Sequence, residues 1–88
     1  MIKQQVTIQN KLGLHTRAAA KLVDTAKRYG SRIELTYRDR TVDCKSIMSV
    51  ITLGAKKDNT LDVIISGEDE AEAIAAITAL IDNKFGED

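Results

Sequence analysis

The sequence contains no proline and no tryptophan, and among its 88 residues it has one cysteine and one histidine. The lone cysteine, Cys44, excludes an internal disulfide and a cysteine-ligated metal cluster, so we expect it to pack on the inner face of a strand. The lone histidine, His15, excludes a multi-histidine metal site. With two tyrosines and one phenylalanine, the chain also lacks the aromatic platforms that stack nucleic-acid bases. We therefore expect no metal, no cofactor and no nucleic-acid partner.

The chain also lacks an excess of charge of either sign, because its 13 basic and 13 acidic residues cancel. Because nucleic-acid binders depend on surplus lysine and arginine, this balance is a second argument against a nucleic-acid partner. No run approaches the ~20 apolar residues of a membrane span, and the first residues, MIKQQ, lack the apolar core of a signal peptide. We therefore expect one soluble domain over residues 1–88, cytoplasmic and without membrane insertion.

The spacing of apolar residues alternates between a period of two and a helical period, which predicts the order β-α-β-β-α-β-α. The predicted strands are 2–9, 32–37, 40–44 and 60–66, and the predicted helices are 16–29, 47–53 and 69–84. Four strands with one apolar face, covered by helices on that face, form an open-faced β-sandwich. The sequence thus predicts the α+β class, with a four-stranded antiparallel sheet and three helices on one side.

Side-chain patterns also predict how the helices begin, end and pack. Gly30 suits the C-cap of the first helix, Ser46 the N-cap of the second, and Gly54 its end. The acidic residues at 68–72 lie at the positive start of the last helix, which stabilises negative charge. This interaction explains their clustering better than metal binding does. The buried face of the first helix is predicted to comprise Ala19, Leu22, Val23 and Ala26, and that of the last Ala71, Ile74, Ile77, Ile81 and Phe85, with Leu80 beside it.

His15 stands immediately before the first predicted helix, in the string GLHTR at 13–17. A helix start presents unpaired N–H groups and the positive end of the helix dipole, so it binds anions and above all phosphate. The same potential disfavours imidazolium, so we expect a neutral ring whose lone pair can accept a phosphoryl group. Arg17 would neutralise the phosphoryl oxygens. The structural alternative is that His15 is an N-cap or loop residue that meets solvent and that Arg17 is a surface charge.

A second candidate surface is the string KSIMSVI at 45–51. The buried stripe of so short a helix would be filled by Ile47, Val50 and either Ile51 or Leu53. Met48 then points elsewhere and leaves apolar surface at the rim, which suits docking of several partners. Ser46, at the helix start, is also a favourable place for a second phosphate.

The strings 13–17 and 45–48 together resemble the HPr family, the histidine-containing phosphocarriers of the bacterial sugar phosphotransferase system. The resemblance covers the whole chain in its length, its element order and the separation of the two motifs. It implies that enzyme I, charged by phosphoenolpyruvate, phosphorylates His15, and that the phosphoryl group passes to the A domain of a sugar-permease component. Such a protein carries phosphohistidine and is not a self-sufficient enzyme.

The resemblance also implies roles for neighbouring residues. Arg17 would clamp the phosphoryl oxygens, assisted by the backbone N–H groups of Thr16 and Arg17. Ser46 would be a regulatory site for an HPr kinase/phosphorylase, and the protein would be a monomer. Ala18 replaces the proline usual in the family, which restores an N–H donor and loosens the first turn. The implied docking face comprises Thr16, Ala20, Ile47, Met48 and Ile51.

Three other functions stay open from the sequence. The first is the nitrogen-related paralogue of the family, which serves a regulatory phosphorelay. The second is a non-catalytic regulatory module that binds through the Ser46 face and leaves His15 idle. The third, an RNA binder of ferredoxin-like topology, is disfavoured by the scarce aromatics and the zero net charge.

Overall fold

The computed structural model describes residues 1–87 and has the predicted order β-α-β-β-α-β-α, followed by a short 3₁₀ turn. The strands are β1 (Ile2–Thr7), β2 (Arg32–Tyr37), β3 (Arg40–Asp43) and β4 (Thr60–Ser66); the helices are α1 (Thr16–Ala26), α2 (Ile47–Leu53) and α3 (Glu70–Asp82), and the 3₁₀ turn is Lys84–Gly86. Within residues 1–87, no helix has both the length and the apolar character needed to cross a bilayer.

The four strands form one antiparallel sheet in the order β1-β4-β2-β3. Ile65 in β4 lies opposite Ile2 of β1 and Ile33 of β2. Because neighbouring strands keep this register, their alternate side chains form one continuous apolar face. The three helices cover that face, and the predicted open-faced α+β sandwich is confirmed.

A single cluster of buried side chains fills the space between the sheet and the helices. The predicted buried face of α1 is confirmed, since Ala19, Leu22, Val23 and Ala26 are all buried. In α3 the prediction for Ala71 is wrong: Ala71 is exposed and Ala73 is buried instead. The stripe that faces the core follows a spacing of four residues through Ala73, Ile77 and Ile81.

The ends of several elements differ from the prediction. β1 ends at Thr7 and not at 9, and β3 ends at Asp43, one residue before the fully buried Cys44. Burial raises the pKa of the Cys44 thiol to about 12, so the thiol is protonated at neutral pH. The helix α3 stops at Asp82 because Lys84, which was expected to lie within it, adopts a left-handed backbone with φ 56°.

Gly30 is not the C-cap of α1, contrary to the prediction. The helix ends at Ala26 with Lys27 as its C-cap, and the N–H of Tyr29 already bonds three residues back to the carbonyl of Ala26. The N–H of Gly30 instead donates to the Asp69 carboxylate at 2.8 Å. Gly30 therefore lies four residues beyond the last residue of α1 and makes a long-range contact instead of capping the helix.

Asp69 joins the start of α3 to the loop before β2, and this contact predicts a pH-dependent stability. Its carboxylate accepts hydrogen bonds from the Ser31 hydroxyl and from the N–H groups of Gly30 and Ser31. The Ser31 hydroxyl and then the Gly30 N–H lower the pKa of Asp69 from its ordinary 3.8. A carboxyl whose pKa is lower in the folded state stabilises the fold above its unfolded pKa and loses that contribution as the pH falls.

We therefore expect Asp69→Asn to lower the thermal midpoint by several degrees at pH 7, with the deficit shrinking towards zero at pH 2. Circular dichroism melts at both pH values measure this. Glu72→Gln is the matched control, because it removes an exposed charge from the same helix start. An equal deficit for Asp69→Asn at both pH values would contradict the role of the ionised carboxylate.

Candidate functional site

His15 is the N-cap residue of α1, with an extended backbone at φ −75° and ψ 177°. Its carbonyl accepts the N–H of Ala19 at 2.8 Å, so the helical ladder starts at this residue. Within residues 1–87 its ring makes no capping hydrogen bond. The first N–H groups of a helix have no partner within the helix. The imidazole therefore stands beside a set of backbone donors while about a quarter of its side chain is exposed.

The loop before α1 is pinned to the segment that follows α2. Leu14 is buried, and its N–H donates to the carbonyl of Ala55 at 3.0 Å. Gly13 has φ +67°, and a Cβ at this position would lie 2.6 Å from the Ala55 carbonyl oxygen. Only glycine combines this left-handed backbone with such close approach. The glycine thus fixes the place from which His15 projects.

A carboxylate that the sequence analysis did not identify contacts the His15 ring. Glu87 Oε2 lies 2.6 Å from His15 Nε2, and Glu87 Oε1 accepts a hydrogen bond from Asn10 Nδ2 at 3.0 Å. Asn10 is fully buried, and the same nitrogen donates to the Gly13 carbonyl at 2.7 Å. The His15 ring therefore lies next to a negatively charged group as well as next to the positive start of α1. The prediction of a neutral ring considered only the helix start.

The Glu87 carboxylate is negatively charged at neutral pH. The pKa of Glu87 lies below its ordinary 4.5, mainly because Asn10 donates a hydrogen bond to the carboxylate. Burial raises this pKa, but by less than the Asn10 hydrogen bond lowers it. The His15 ring and the Arg17 guanidinium lower it further. A carboxylate in this state can only accept hydrogen bonds. The contact at 2.6 Å therefore requires a proton on His15 Nε2.

A left-handed turn at the end of α3 brings Glu87 to this place. Lys84, Phe85 and Gly86 have φ values of 56°, 56° and 76°. The Phe85 ring is fully buried in the core, and the Phe85 carbonyl accepts a hydrogen bond from Lys21 Nζ at 2.7 Å. The turn is thus anchored in the core and to α1 before it reaches His15.

A basic cleft opens beside the His15–Glu87 contact. It has a volume of about 440 Å³. Among residues 1–87 it is lined by three cations, Lys11, Arg17 and Lys21, and by one carboxylate, Glu87. This excess of positive charge gives the cleft the electrostatic character of an anion site. The lining residues are Lys11, Leu12, Arg17, Lys21, Gly86 and Glu87.

The second predicted surface lies on α2. Ser46 is its N-cap and accepts the N–H of Ser49 at 3.4 Å, and Gly54 is its left-handed C-cap, as predicted. Val50 and Leu53 are buried. The prediction that Ile47 fills the buried stripe is wrong, because Ile47, the first residue of the helix, is 37% exposed.

Two helices that pack together carry the remaining predicted docking residues. Thr16 and Ala20 are exposed on α1, and Met48 is 65% exposed on α2, whereas Ile51 is half-buried. Ala18, at the position where the family usually has proline, is fully buried. The structure therefore leaves accessible apolar surface on α2 and a polar and basic start on α1.

Comparison with known proteins identifies the family. Residues 2–83 match the family model described as the PTS HPr component phosphorylation site. The chain is 44% identical over 88 residues to a phosphocarrier protein HPr of Xylella fastidiosa, covering 100% of this chain and 99% of the relative. It is 46% identical over 87 residues to one of Cupriavidus necator, covering 99% and 98%.

A solved structure leads to the same assignment. The crystal structure of HPr-C-His from Thermoanaerobacter tengcongensis superposes with a TM-score of 0.96 at 41% identity, covering 100% of this chain and 99% of the other. Sequence and fold therefore agree over the full length. The chain belongs to the HPr family, the phosphocarriers of the phosphotransferase system.

Proposed function

We propose that His15 is the residue that carries the phosphoryl group, that enzyme I supplies it, and that the A domain of a permease component removes it. The single observation that carries this proposal is the placement of the only imidazole of the chain at the N-terminus of α1, beside the basic cleft. These partners belong to the cytoplasm, and we assign the protein to that compartment.

The transfer needs a nitrogen lone pair and a cradle for three oxygens. A ring nitrogen of His15 forms a bond to phosphorus while the bond between phosphorus and the donor breaks. The Arg17 guanidinium and the backbone N–H groups of Thr16 and Arg17 bind the phosphoryl oxygens, which carry the negative charge. The reverse displacement by the next acceptor returns His15 to its starting state, so no group remains on the protein.

The partner surface consists of the start of α1 and the exposed side of α2. Thr16 and Ala20 contribute from α1, and Ile47, Met48 and Ile51 contribute from α2. A carrier must leave one partner before it meets the next, and a small apolar patch with charges around it suits such a short-lived contact. We infer that the carrier itself works as a monomer.

Labelling with phosphoenolpyruvate tests the proposed acceptor. The protein is incubated with enzyme I and ³²P-phosphoenolpyruvate, and the label on this chain is expected to be labile in acid and stable in base, as a phosphoramidate is. A phosphorus NMR spectrum of the charged protein should contain a phosphoramidate resonance. Absence of both signals with an enzyme I that labels a known HPr would overturn the proposal.

We further propose that Ser46 is a regulatory phosphorylation site for an HPr kinase/phosphorylase. Ser46 is half-buried and is followed in the chain by Ile47 and Met48, within the proposed partner surface. A charge here would require desolvation whenever a partner docks and would repel an acidic partner.

We expect Ser46→Asp to slow phosphorylation of His15 by enzyme I about tenfold or more, a change that corresponds to 1.4 kcal/mol per factor of ten. Ser46→Asn is the matched control, because asparagine caps a helix as well as aspartate does but carries no charge. Initial rates at subsaturating carrier measure the effect. Equal rates for the two variants would leave Ser46 as a helix cap alone.

A further inference from the structure

A second cleft opens between the turn that joins β2 to β3 and the segment that follows α2. It has a volume of about 490 Å³, which lies in the range of pockets that hold small molecules. In the part of the chain that the structure describes, it is lined by three cations, Arg38, Arg40 and Lys56, and by one carboxylate, Asp39. We call it the turn cleft, and its other lining residues are Tyr37, Leu53, Gly54 and Asn59.

The three cations of the turn cleft are not balanced by carboxylates. Within residues 1–87 none of Arg38, Arg40 and Lys56 forms an ion pair, although other exposed arginines of the chain do. Like charges that line one cleft repel one another, and an anion bound between them relieves that repulsion. The turn cleft therefore has the electrostatic character of an anion site that none of the described carboxylates fills.

The backbone of Arg38 supports a role for its side chain in this cleft. Arg38 is the first of the two residues between β2 and β3, and its φ is 59°. Glycine and asparagine are favoured at such a φ, so an arginine there strains the backbone. Its guanidinium lies over the Tyr37 ring, 5.2 Å from the ring centre, and this contact holds the charge at the cleft. Residues held in strained conformations concentrate at ligand sites, and Arg38 fits that pattern.

A purely structural role accounts for only one of the three cations. Arg40 Nη1 donates to the carbonyl of Thr52 at 2.9 Å, near the negative end of α2, where a cation is favourable. In Lys56 the backbone N–H donates to Asn59 Oδ1 at 2.8 Å, so this contact does not use the ammonium group. Arg40 thus compensates the helix end, and the charges of Arg38 and Lys56 are left to attract an anion.

We propose that the turn cleft binds a small metabolite that carries two phosphate groups, independently of His15. Three cations against one carboxylate match a ligand with at least two negative charges. The guanidinium groups of Arg38 and Arg40 present forked donors that fit phosphate oxygens, and Lys56 adds a compact positive charge. The half-buried Tyr37 and the buried Leu53 provide an apolar part of the lining for the carbon atoms of the metabolite.

Titration of the ¹⁵N-labelled protein with pyrophosphate tests the proposal. We expect saturable shifts of the backbone N–H resonances at 37–40 and 54–56, and binding of inorganic phosphate at least about tenfold weaker, because one phosphate group engages fewer of the cations. Shifts confined to 11–21 and 86–87 would place pyrophosphate in the basic cleft beside His15 and would overturn the proposal. Absence of saturable shifts at 37–40 would overturn it as well.

Three variants separate the two clefts. Arg38→Asn and Lys56→Gln should each weaken pyrophosphate binding about tenfold, the scale of one lost charge-assisted hydrogen bond. The control Arg28→Gln, which removes an exposed charge on the loop after α1, should bind like wild type. Asparagine suits φ 59° better than arginine, so Arg38→Asn should have a thermal midpoint at least as high as that of wild type, and unfolding cannot explain its weaker binding. Equal affinities of all three variants would show that the turn cleft is not the site.

Discussion

His15→Ala is expected to reduce phosphoryl acceptance from enzyme I by at least about three orders of magnitude, the scale of loss when a nucleophile is deleted. Alanine has no lone pair, and the chain contains no other histidine that could replace it. The remaining cleft can still bind an anion, but binding without a nucleophile forms no bond to phosphorus. The measurement is incorporation of ³²P from phosphoenolpyruvate, with the label resolved by its lability in acid.

The integrity of the variant is checked separately. His15→Ala removes the contact with Glu87 but no capping hydrogen bond among residues 1–87, and Glu87 keeps its bond from Asn10, so the thermal midpoint should fall by only a few degrees and the variant should stay folded. A folded His15→Ala protein that accepts acid-labile label at the wild-type rate would contradict the assignment. The same experiment distinguishes a phosphocarrier from a regulatory module that acts through Ser46 and leaves His15 idle.

The parts of this site that were predictable lie within short stretches of sequence. The string 13–17 contains a glycine, the imidazole and an arginine at the start of a helical period, and the position of each residue in the loop or the first turn of α1 follows from local geometry. The cap at Ser46 and the end at Gly54 are of the same kind, because capping depends on a few neighbouring residues. Elements of the fold were predictable for the same reason, since periodicity is a local property.

The parts that were missed depend on contacts between distant residues. Glu87 and His15 are 72 positions apart, and no spacing rule connects them. From the sequence, Asn10 is an ordinary loop residue. Only the structure shows that its amide donates hydrogen bonds to both Gly13 and Glu87. The partner of the Gly30 N–H is of the same kind, because Asp69 lies 39 positions away. Local patterns specify the elements, whereas tertiary hydrogen bonds join residues that no local pattern connects.

Phe85→Ala is expected to produce the largest loss of stability among the substitutions considered. The Phe85 ring is fully buried, and deleting such a ring costs about 3–5 kcal/mol through lost burial and the cavity left behind. The free energy of unfolding of a native protein is about 5–15 kcal/mol, so this loss is a large fraction of the stability. Alanine gains nothing from the left-handed backbone at φ 56°, which suits glycine and penalises any residue with a Cβ.

Urea unfolding followed by circular dichroism measures this loss. Leu12→Ala is the matched control: Leu12 is also a large apolar side chain, but it is 69% exposed, so its removal should change the free energy of unfolding by no more than about 0.5 kcal/mol. Because Phe85 anchors the turn that delivers Glu87, the Nε2–H resonance of His15 should also exchange faster with water in Phe85→Ala. A variant as stable as Leu12→Ala would show that the turn is not part of the core, and the support that it gives to Glu87 would then have to come from Asn10 and Lys21 alone.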